Sequence, residues 1–286
     1  MAEVVLATCA DYPHGDKDAA LLTAALSAGG VPARWQVWDD PAASWSGALT
    51  VLRCTWDYTL RREDFLAWAG TVTRLANPVD VVVWNSDKTY LGDLAEAGVP
   101  VVPTTSARPG EPVRIPDDGE FVVKPSVGAG SRGAGRFGSE DHAAAHAHAR
   151  SLHEAGRVVL VQPYLADVDT SGESALIYFD GSFSHAVRKG PMLPKGTAHT
   201  VHSHALFIAE NITARSPSPA ERRVGEQALR AIRERFGADL LYARIDLLPS
   251  PDGPVVVELE LIEPSLFLIH SAGAAERFAA AIAARA

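Results

Sequence analysis

The apolar residues of the first 85 positions fall into short runs that are separated by helical stretches. Strands are predicted at "EVVLATC", "ARWQVW", "ALTVLRC" and "VVVW", and helices at "DKDAALLTAALSAGG" and "RREDFLAWAGTVTRLA". Strands that alternate with helices are typical of a parallel sheet with crossover helices. The pattern therefore predicts an α/β lobe over residues 1–85.

The pattern changes after this lobe. "SDKTYLGDLAEAGVP" predicts a helix with its N-cap at Ser86, which places Lys88 in the first turn. A lysine in the first turn opposes the helix dipole, so Lys88 is mildly unfavourable there. A functional role and an ordinary surface position explain Lys88 equally well. The runs "FVVKP", "RVVLVQPYL", "ESALIYFDG" and "SFSHAVRKG" lie close together and predict an antiparallel sheet.

The last third of the chain opens with a segment rich in Pro, His, Ser and Thr, over residues 191–219, whose length is typical of a lid or functional loop. An amphipathic helix, the hairpin "ADLLYARIDLLPSPDGPVVVELELIEP" and a closing helix follow. We expect an α/β fold overall, in α+β lobes. The predicted lobes are residues 1–85, a small central lobe 86–165 and a C-terminal lobe 166–286.

Composition narrows the possible partners. The chain has 286 residues, of which 47% are hydrophobic, so it can bury a sizeable core. A net charge of −9 without any basic run disfavours nucleic acid and anionic membranes as partners. No basic leader and no apolar run near ~20 residues is present, which predicts a cytoplasmic protein. Cys9 and Cys54 are expected to be small buried residues.

The stretch "FVVKPSVGAGSRGAGRF" contains the spacing G-x-G-x-x-G, which is also found in dinucleotide-binding turns. A dehydrogenase needs a helix directly after these glycines, but Gly135 and Gly138 delay the helix until about Ser139. A Walker loop needs its lysine after the glycines, and Lys124 precedes them. The stretch therefore predicts a strand lysine followed by a glycine flap, an arrangement that can cradle phosphates.

Three carboxylates are expected to meet in the late hairpin. Glu258 and Glu260 share one face of their strand because side chains alternate, and Asp246 can lie across from them. The flanking residues are too apolar for an ordinary solvated face. The cluster therefore predicts a site for a hard cation such as Mg²⁺. Glu263 is expected to point away unless a bulge intervenes.

These features, in this order along almost the whole chain, resemble the ATP-grasp superfamily. The resemblance implies that ATP and Mg²⁺ are the cofactors and that Lys88 and Lys124 contact the phosphates. It places the flap at Gly128, Gly130 and Ser131 and the adenine at Gln162, Pro163, Tyr164 and Leu165. The ribose contact falls on either Asp169 or Glu173, and the metal ligands on Asp246, Glu258 and Glu260.

Within the superfamily, "TCADYP", "LRCTWDY" and "ELELIEPSLF" are similar to the D-cycloserine synthetases, which close O-ureido-D-serine into a ring. This resemblance implies an ATP-dependent ligase that activates a small amino-acid-like carboxylate as an acyl phosphate for attack by a nitrogen nucleophile. An intermolecular carboxylate–amine ligase and a non-catalytic nucleotide-binding module remain as alternatives. A homodimer is the expected assembly.

Further residues are candidates for catalysis and substrate binding. Arg244 lies two residues before Asp246 on the same face and is expected either to stabilise the acyl phosphate, beside Lys124, or to form a structural ion pair. Arg188 and Lys189 border the expected lid, where they either steer the anions or are ordinary strand-end charges. Histidines 199, 202 and 204 are expected to line that lid. The substrate candidates are Tyr12, Arg53, Thr55 and Asp57, and Trp56 is expected to pack.

Overall fold

The N-terminal lobe contains a three-stranded parallel sheet in the order β2-β1-β3. The structure is a computed structural model that describes residues 3–191, 193 and 211–286. Strands β1 and β3 are buried along their whole length, which explains why both are continuous apolar runs. The elements of this lobe are β1 (Val4–Thr8), α1 (Ala19–Ala28), β2 (Ala33–Val37), β3 (Leu49–Cys54), α2 (Arg62–Ala69) and α3 (Val79–Asn85).

The strand expected at "VVVW" is wrong, because these residues lie in helix α3. Val81, Val82 and Asn85 are buried while Val83 is exposed, which is the spacing of one helical face. Pro78 precedes the first turn, where its missing N–H costs no helical hydrogen bond. An apolar run of four residues does not distinguish a strand from a buried helix.

The central lobe is a four-stranded antiparallel sheet in the order β4-β7-β5-β6. The glycine stretch is the turn between β5 and β6, so no helix follows it directly, as the sequence predicted. The helix that was expected near Ser139 begins as a short 3₁₀ turn at that residue. The elements of this lobe are α4 (Tyr90–Glu96), β4 (Thr105–Ala107), β5 (Phe121–Pro125), β6 (Gly135–Phe137), α5 (His142–Glu154) and β7 (Val159–Pro163).

The helix start expected at Ser86 is also wrong. Ser86 ends α3, and α4 begins at Tyr90 with Thr89 in the N-cap position. Lys88 therefore lies in the turn between two helices and does not oppose a first helical turn. Its backbone N–H donates to the carbonyl oxygen of Ser126 at 2.8 Å, which fixes Lys88 beside the end of β5.

The C-terminal lobe is a five-stranded antiparallel sheet in the order β10-β9-β8-β11-β12. The predicted hairpin is confirmed as β11 and β12, and the amphipathic helix as α7, which Ser218 and Glu221 cap reciprocally. The elements are α6 (Val168–Ser171), β8 (Glu173–Phe179), β9 (Ser182–Lys189), β10 (Ile212–Arg215), α7 (Pro219–Phe236), β11 (Tyr242–Leu248), β12 (Val255–Glu260) and α8 (Ala274–Ala283).

The N-terminal and C-terminal lobes share one hydrophobic core. Leu6 of β1 and Leu26 of α1 pack in the same buried cluster as Phe278 and Ile282 of α8. Beyond the end of α8, Arg285 donates to the carbonyl oxygen of Ala76 at 3.3 Å. Each sheet draws its strands from one of the three predicted ranges, although the shared core joins the first range to the third. Within the described residues, no helix has the length and apolarity needed to cross a membrane.

Candidate active site

Most of the candidate nucleotide-binding residues line a cleft between the central and C-terminal sheets. Its walls come from β5 and the glycine turn, from β7 and the residues that follow it, and from β8, β9, β11 and β12. The sequence-predicted residues that line it are Lys88, Lys124, Gly128, Gly130, Ser131, Gln162, Pro163, Tyr164, Leu165, Glu173, Lys189, Arg244, Glu258 and Glu260.

The carboxylates of the hairpin come together. Each of Asp246, Glu258 and Glu260 offers an oxygen within 4.8 Å of the others. The strand register explains this, because Asp246 pairs with Glu258 while Glu260 lies one alternation further along the same face. Three carboxylate oxygens at this spacing fit the oxygen ligands that Mg²⁺ prefers.

The cluster is balanced by cations of the chain itself. Arg244 donates to both carboxylate oxygens of Asp246, at 2.9 and 2.8 Å, and also to Glu260. Burial raises the pKa of Asp246, but Arg244 and Lys189 outweigh it and hold this pKa well below its usual range. Burial raises the pKa of Glu260 to about 7 despite the guanidinium beside it. Arg244 therefore forms structural ion pairs and also lines the cleft. An ion-pair role for Arg244 is thus compatible with the expected contact to an acyl phosphate.

Lys189 lies at the base of the cleft. Its Nζ donates to Glu173 Oε1 at 2.5 Å and to Asp246 Oδ2 at 3.0 Å. Gly172 makes room for the backbone of β9, since its φ is +71° and an added Cβ would lie 2.5 Å from the carbonyl oxygen of Lys189. Lys189 therefore joins β8 and β9 to the carboxylate cluster.

Two further lysines face the cluster from the central lobe. Lys88 Nζ lies 3.1 Å from Glu258 Oε1 and also donates to the carbonyl oxygen of Gly128, so it ties the glycine turn to the hairpin. Gly130 and Ser131 both adopt the left-handed conformation, with φ of 60° and 58°, and turn the backbone at the mouth of the cleft. Burial lowers the pKa of Lys124 to about 8.

The lowered pKa of Lys124 predicts a pH dependence. Lys124 is charged below pH 8 and neutral above it in the free enzyme, so kcat/KM for ATP should fall about tenfold per pH unit above pH 8. Lys124→Arg keeps its charge and should move this fall to higher pH. Initial rates between pH 6.5 and 9.5 measure it, with thermal unfolding at each pH as the control for folding. If kcat/KM of the wild type did not change between pH 6.5 and 9.5, the assignment of Lys124 to the phosphates of ATP would be contradicted.

The end of β7 and the residues that follow it form the outer wall of the cleft. Gln162 is buried and donates to Thr104 Oγ1 at 2.8 Å, while the backbone N–H of Tyr164 donates to the Glu120 carbonyl oxygen at 2.7 Å. The Tyr164 hydroxyl donates to Asp169, and the guanidinium of Arg136 stacks on the Tyr164 ring. Contacts within the protein itself therefore hold this segment in place.

The two ribose candidates lie in different places. Glu173 lines the cleft, where it pairs with Lys189. Asp169 pairs with Arg136 at 3.1 Å and accepts a hydrogen bond from the Tyr164 hydroxyl. Asp169 does not line the described part of the cleft wall. The geometry favours Glu173 for a contact inside the cleft.

The substrate candidates of the N-terminal lobe are not brought into the cleft. Arg53 is buried and donates to the Pro264 carbonyl oxygen at 3.1 Å, and Thr55 is buried as well. Asp57 accepts hydrogen bonds from Trp38 and Arg61, and Tyr12 packs edge-on against Trp56 at 4.9 Å. Among the described residues of this lobe, the cleft wall contains Trp56 alone, the residue expected only to pack.

Arg188 is also placed away from the cleft wall. Its guanidinium donates to the carbonyl oxygens of Ser171 and Thr170, at 2.7 and 3.0 Å, and so holds the end of α6. The alternation of β9 explains the difference, because Lys189 takes the inward face and Arg188 the other. The histidines expected in the lid, at positions 199, 202 and 204, lie outside the described residues.

Glu263 is the residue that sequence reasoning placed on the wrong side. It is buried, yet it lines the cleft beside Glu260 and Ser265. Strand β12 ends at Glu260, so the alternation that predicted an outward side chain no longer applies three residues later.

Solved structures with low sequence identity share the fold of this chain. The D-alanine–D-alanine ligase from Bacillus anthracis is 11% identical, with a TM-score of 0.68 over 100% of this chain and 97% of that one. The ATP-grasp ligase PsnB is 17% identical, with a TM-score of 0.62 over 100% and 99% of the two chains. The chain therefore has the fold found in the ATP-grasp class of ligases.

Closer similarity leads to one family within that class. The family model for the N-terminal domain of D-cycloserine synthetase DcsG matches residues 4–77. The cycloserine biosynthesis protein DcsG of Streptomyces lavendulae is 39% identical over 94% of both chains. The crystal structure of D-cycloserine synthetase DcsG is 36% identical, with a TM-score of 0.88 over 99% of both chains. The chain therefore belongs to the DcsG family.

Proposed function

We propose that this enzyme uses ATP and Mg²⁺ to activate the carboxylate of O-ureido-D-serine and then closes that molecule into the ring of D-cycloserine. The observation that carries the proposal is the cluster of Asp246, Glu258 and Glu260, in which the two glutamates line the cleft together with Lys88 and Lys124. Similarity to DcsG over nearly the whole chain supports the choice of substrate.

The proposed roles follow from the charges in the cleft. ATP supplies the phosphoryl group, and Mg²⁺ neutralises its charge. Asp246, Glu258 and Glu260 fit the metal, because their oxygens converge. Lys88 and Lys124 bind phosphate oxygens, and the backbone of the glycine turn covers them.

The outer wall fits the nucleoside. Gln162, Pro163, Tyr164 and Leu165 bind the adenine, and Glu173 binds the ribose. Arg244 is held in a fixed position by two carboxylates, so it presents a preorganised charge to the acyl phosphate. Lys189 keeps Asp246 ionised.

Apart from ATP, ring closure needs only one organic substrate. A ureido N–H of the activated molecule attacks its own acyl carbon, phosphate leaves with the bonding electrons, and the nitrogen loses its proton. An intramolecular attack benefits from a preset geometry, since both reacting groups enter the cleft together. The carbamoyl group is lost afterwards to water. We place this reaction in the cytoplasm, with a homodimer as the expected assembly.

A one-substrate assay tests the proposal. ADP should form with O-ureido-D-serine as the single organic substrate, the rate should saturate without any added amine, and mass spectrometry should show D-cycloserine. Omission of ATP or Mg²⁺ is the control. ADP that appears only after a second amine is added would instead indicate an intermolecular carboxylate–amine ligase.

A further inference from the structure

Glu263 is the one carboxylate of the described cleft wall that forms no ion pair with a described residue. The wall contains four carboxylates, and the other three are paired: Glu173 with Lys189, Glu258 with Lys88 and Glu260 with Arg244. Glu263 is 7% exposed, and none of the described residues donates a side-chain hydrogen bond to it. A buried carboxylate in this state is destabilised unless it is protonated or meets a cation.

The surroundings of Glu263 differ from those of the proposed metal ligands. Glu263 is not part of the described cluster in which carboxylate oxygens lie within 4.8 Å of one another. Burial, and after it the negative charge of Glu260, raises the pKa of Glu263 well above its usual range, although the charge of Lys88 opposes this shift. A cationic ligand at this position would bring the carboxylate back to its ionised form.

Trp56 completes the surroundings of this carboxylate. Its Nε1 donates to the backbone carbonyl oxygen of Glu263 at 3.0 Å, and Tyr12 packs edge-on against its ring at 4.9 Å. These contacts fix the indole where it lines the cleft. An aromatic ring that lines the same cleft as a buried carboxylate suits an organic ammonium group, which both can attract, whereas Mg²⁺ requires several oxygen ligands.

The position also suits the geometry of an α-amino acid. Arg244 donates to the carbonyl oxygen of Ser265 at 3.2 Å, so the segment that carries Glu263 is tied to the residue proposed to meet the activated carboxylate. The ammonium and carboxylate groups of an α-amino acid are attached to the same carbon. Their binding groups should therefore lie in one cleft, as Glu263 and Arg244 do.

We infer that Glu263 and Trp56 form a subsite for the α-ammonium group of the amino-acid substrate. This inference rests on the proposed function, since it assigns one end of the molecule that the cleft is proposed to activate. The subsite explains why an acidic residue is present where the ATP-binding apparatus needs none. It also assigns a role to the single residue with which the described part of the N-terminal lobe reaches the cleft.

The test compares O-ureido-D-serine with its counterpart in which hydrogen replaces the amino group. Calorimetry in the presence of Mg·ADP should show that the wild type binds the ammonium-bearing ligand about 100-fold more tightly, because the counterpart leaves Glu263 without a partner. In Glu263→Gln this ratio should fall to within about threefold, while the Kd of Mg·ADP stays within twofold of the wild type. Glu276→Gln, which changes an exposed carboxylate on α8, is the matched control and should keep the wild-type ratio.

Each outcome separates the inference from the proposed function. Equal binding of both ligands by the wild type, binding of neither, or an equal loss for both in Glu263→Gln would overturn the ammonium subsite. Ammonium-dependent binding without D-cycloserine formation would leave the subsite intact and contradict the proposed ring closure. Trp56→Leu should lower the ratio partially, and Trp56→Phe less than Trp56→Leu, because phenylalanine retains an aromatic face. An unchanged ratio in Trp56→Leu would remove the indole from the subsite.

Discussion

Lys124→Met should lower kcat by about 1000-fold, which is the usual order for removing one preorganised charge from a phosphoryl-transfer site. The methionine side chain has a similar length and volume, so β5 and its neighbours keep their packing. The apo protein should remain folded, because the substitution also removes the desolvation cost of a buried ammonium group. ADP release under saturating Mg·ATP measures the effect.

The matched control for this variant is Lys17→Met, which removes an exposed lysine from the loop before α1. It should leave kcat within twofold of the wild type. Near wild-type turnover in Lys124→Met, in a sample whose thermal unfolding is unchanged, would end the assignment of Lys124 to the phosphates.

Asp246→Asn should remove nearly all ATP-dependent turnover and raise the Mg²⁺ concentration needed for half-maximal rate by at least tenfold. The amide keeps the shape of the carboxylate but loses the charge that binds the cation. The fold should survive, because Arg244 retains its contact with Glu260 and Lys189 its contact with Glu173. A Mg²⁺ titration of the residual rate measures the shift.

Asp252→Asn is the matched control, since Asp252 is an exposed carboxylate in the turn of the same hairpin. It should leave both the rate and the Mg²⁺ titration unchanged. If Asp246→Asn kept its half-saturating Mg²⁺ concentration, the aspartate would be a structural partner of Arg244 and Lys189 and not a metal ligand.

The carboxylate cluster could be predicted because two local regularities determine it. The turn between Asp246 and Glu258 predicts a hairpin, and the period of two places Glu258 and Glu260 on one face. The glycine turn could be predicted for a similar reason, since glycines after a strand oppose an immediate helix. Such patterns involve neighbours in sequence and need no knowledge of the other lobes.

The errors occur where contacts between distant segments decide the structure. "VVVW" lies in helix α3, whose last residue Asn85 hydrogen-bonds the backbone of Leu259 in β12 and of Leu261 beyond it, contacts that no local pattern reveals. The expectation that Arg53 contacts the substrate stays a prediction, and its hydrogen bond to the Pro264 carbonyl oxygen joins two distant segments that no local pattern connects. The side on which Glu263 lies depends on where β12 ends. The sequence did contain one signal for Glu263, because an acidic residue between apolar neighbours is unusual unless it has a functional or structural partner.

The core shared between the first and last lobes has a consequence for biosynthesis. The apolar faces of β1 and α1 leave the ribosome early, whereas α8, which packs on α1 and in the same core as β1, is made near the end. The N-terminal lobe cannot bury these faces until nearly all of the described chain has been translated. Nascent chains of this enzyme should therefore expose apolar surface throughout elongation. They should depend on chaperones that bind unfolded chains more than the nascent chains of an enzyme whose first domain folds on its own.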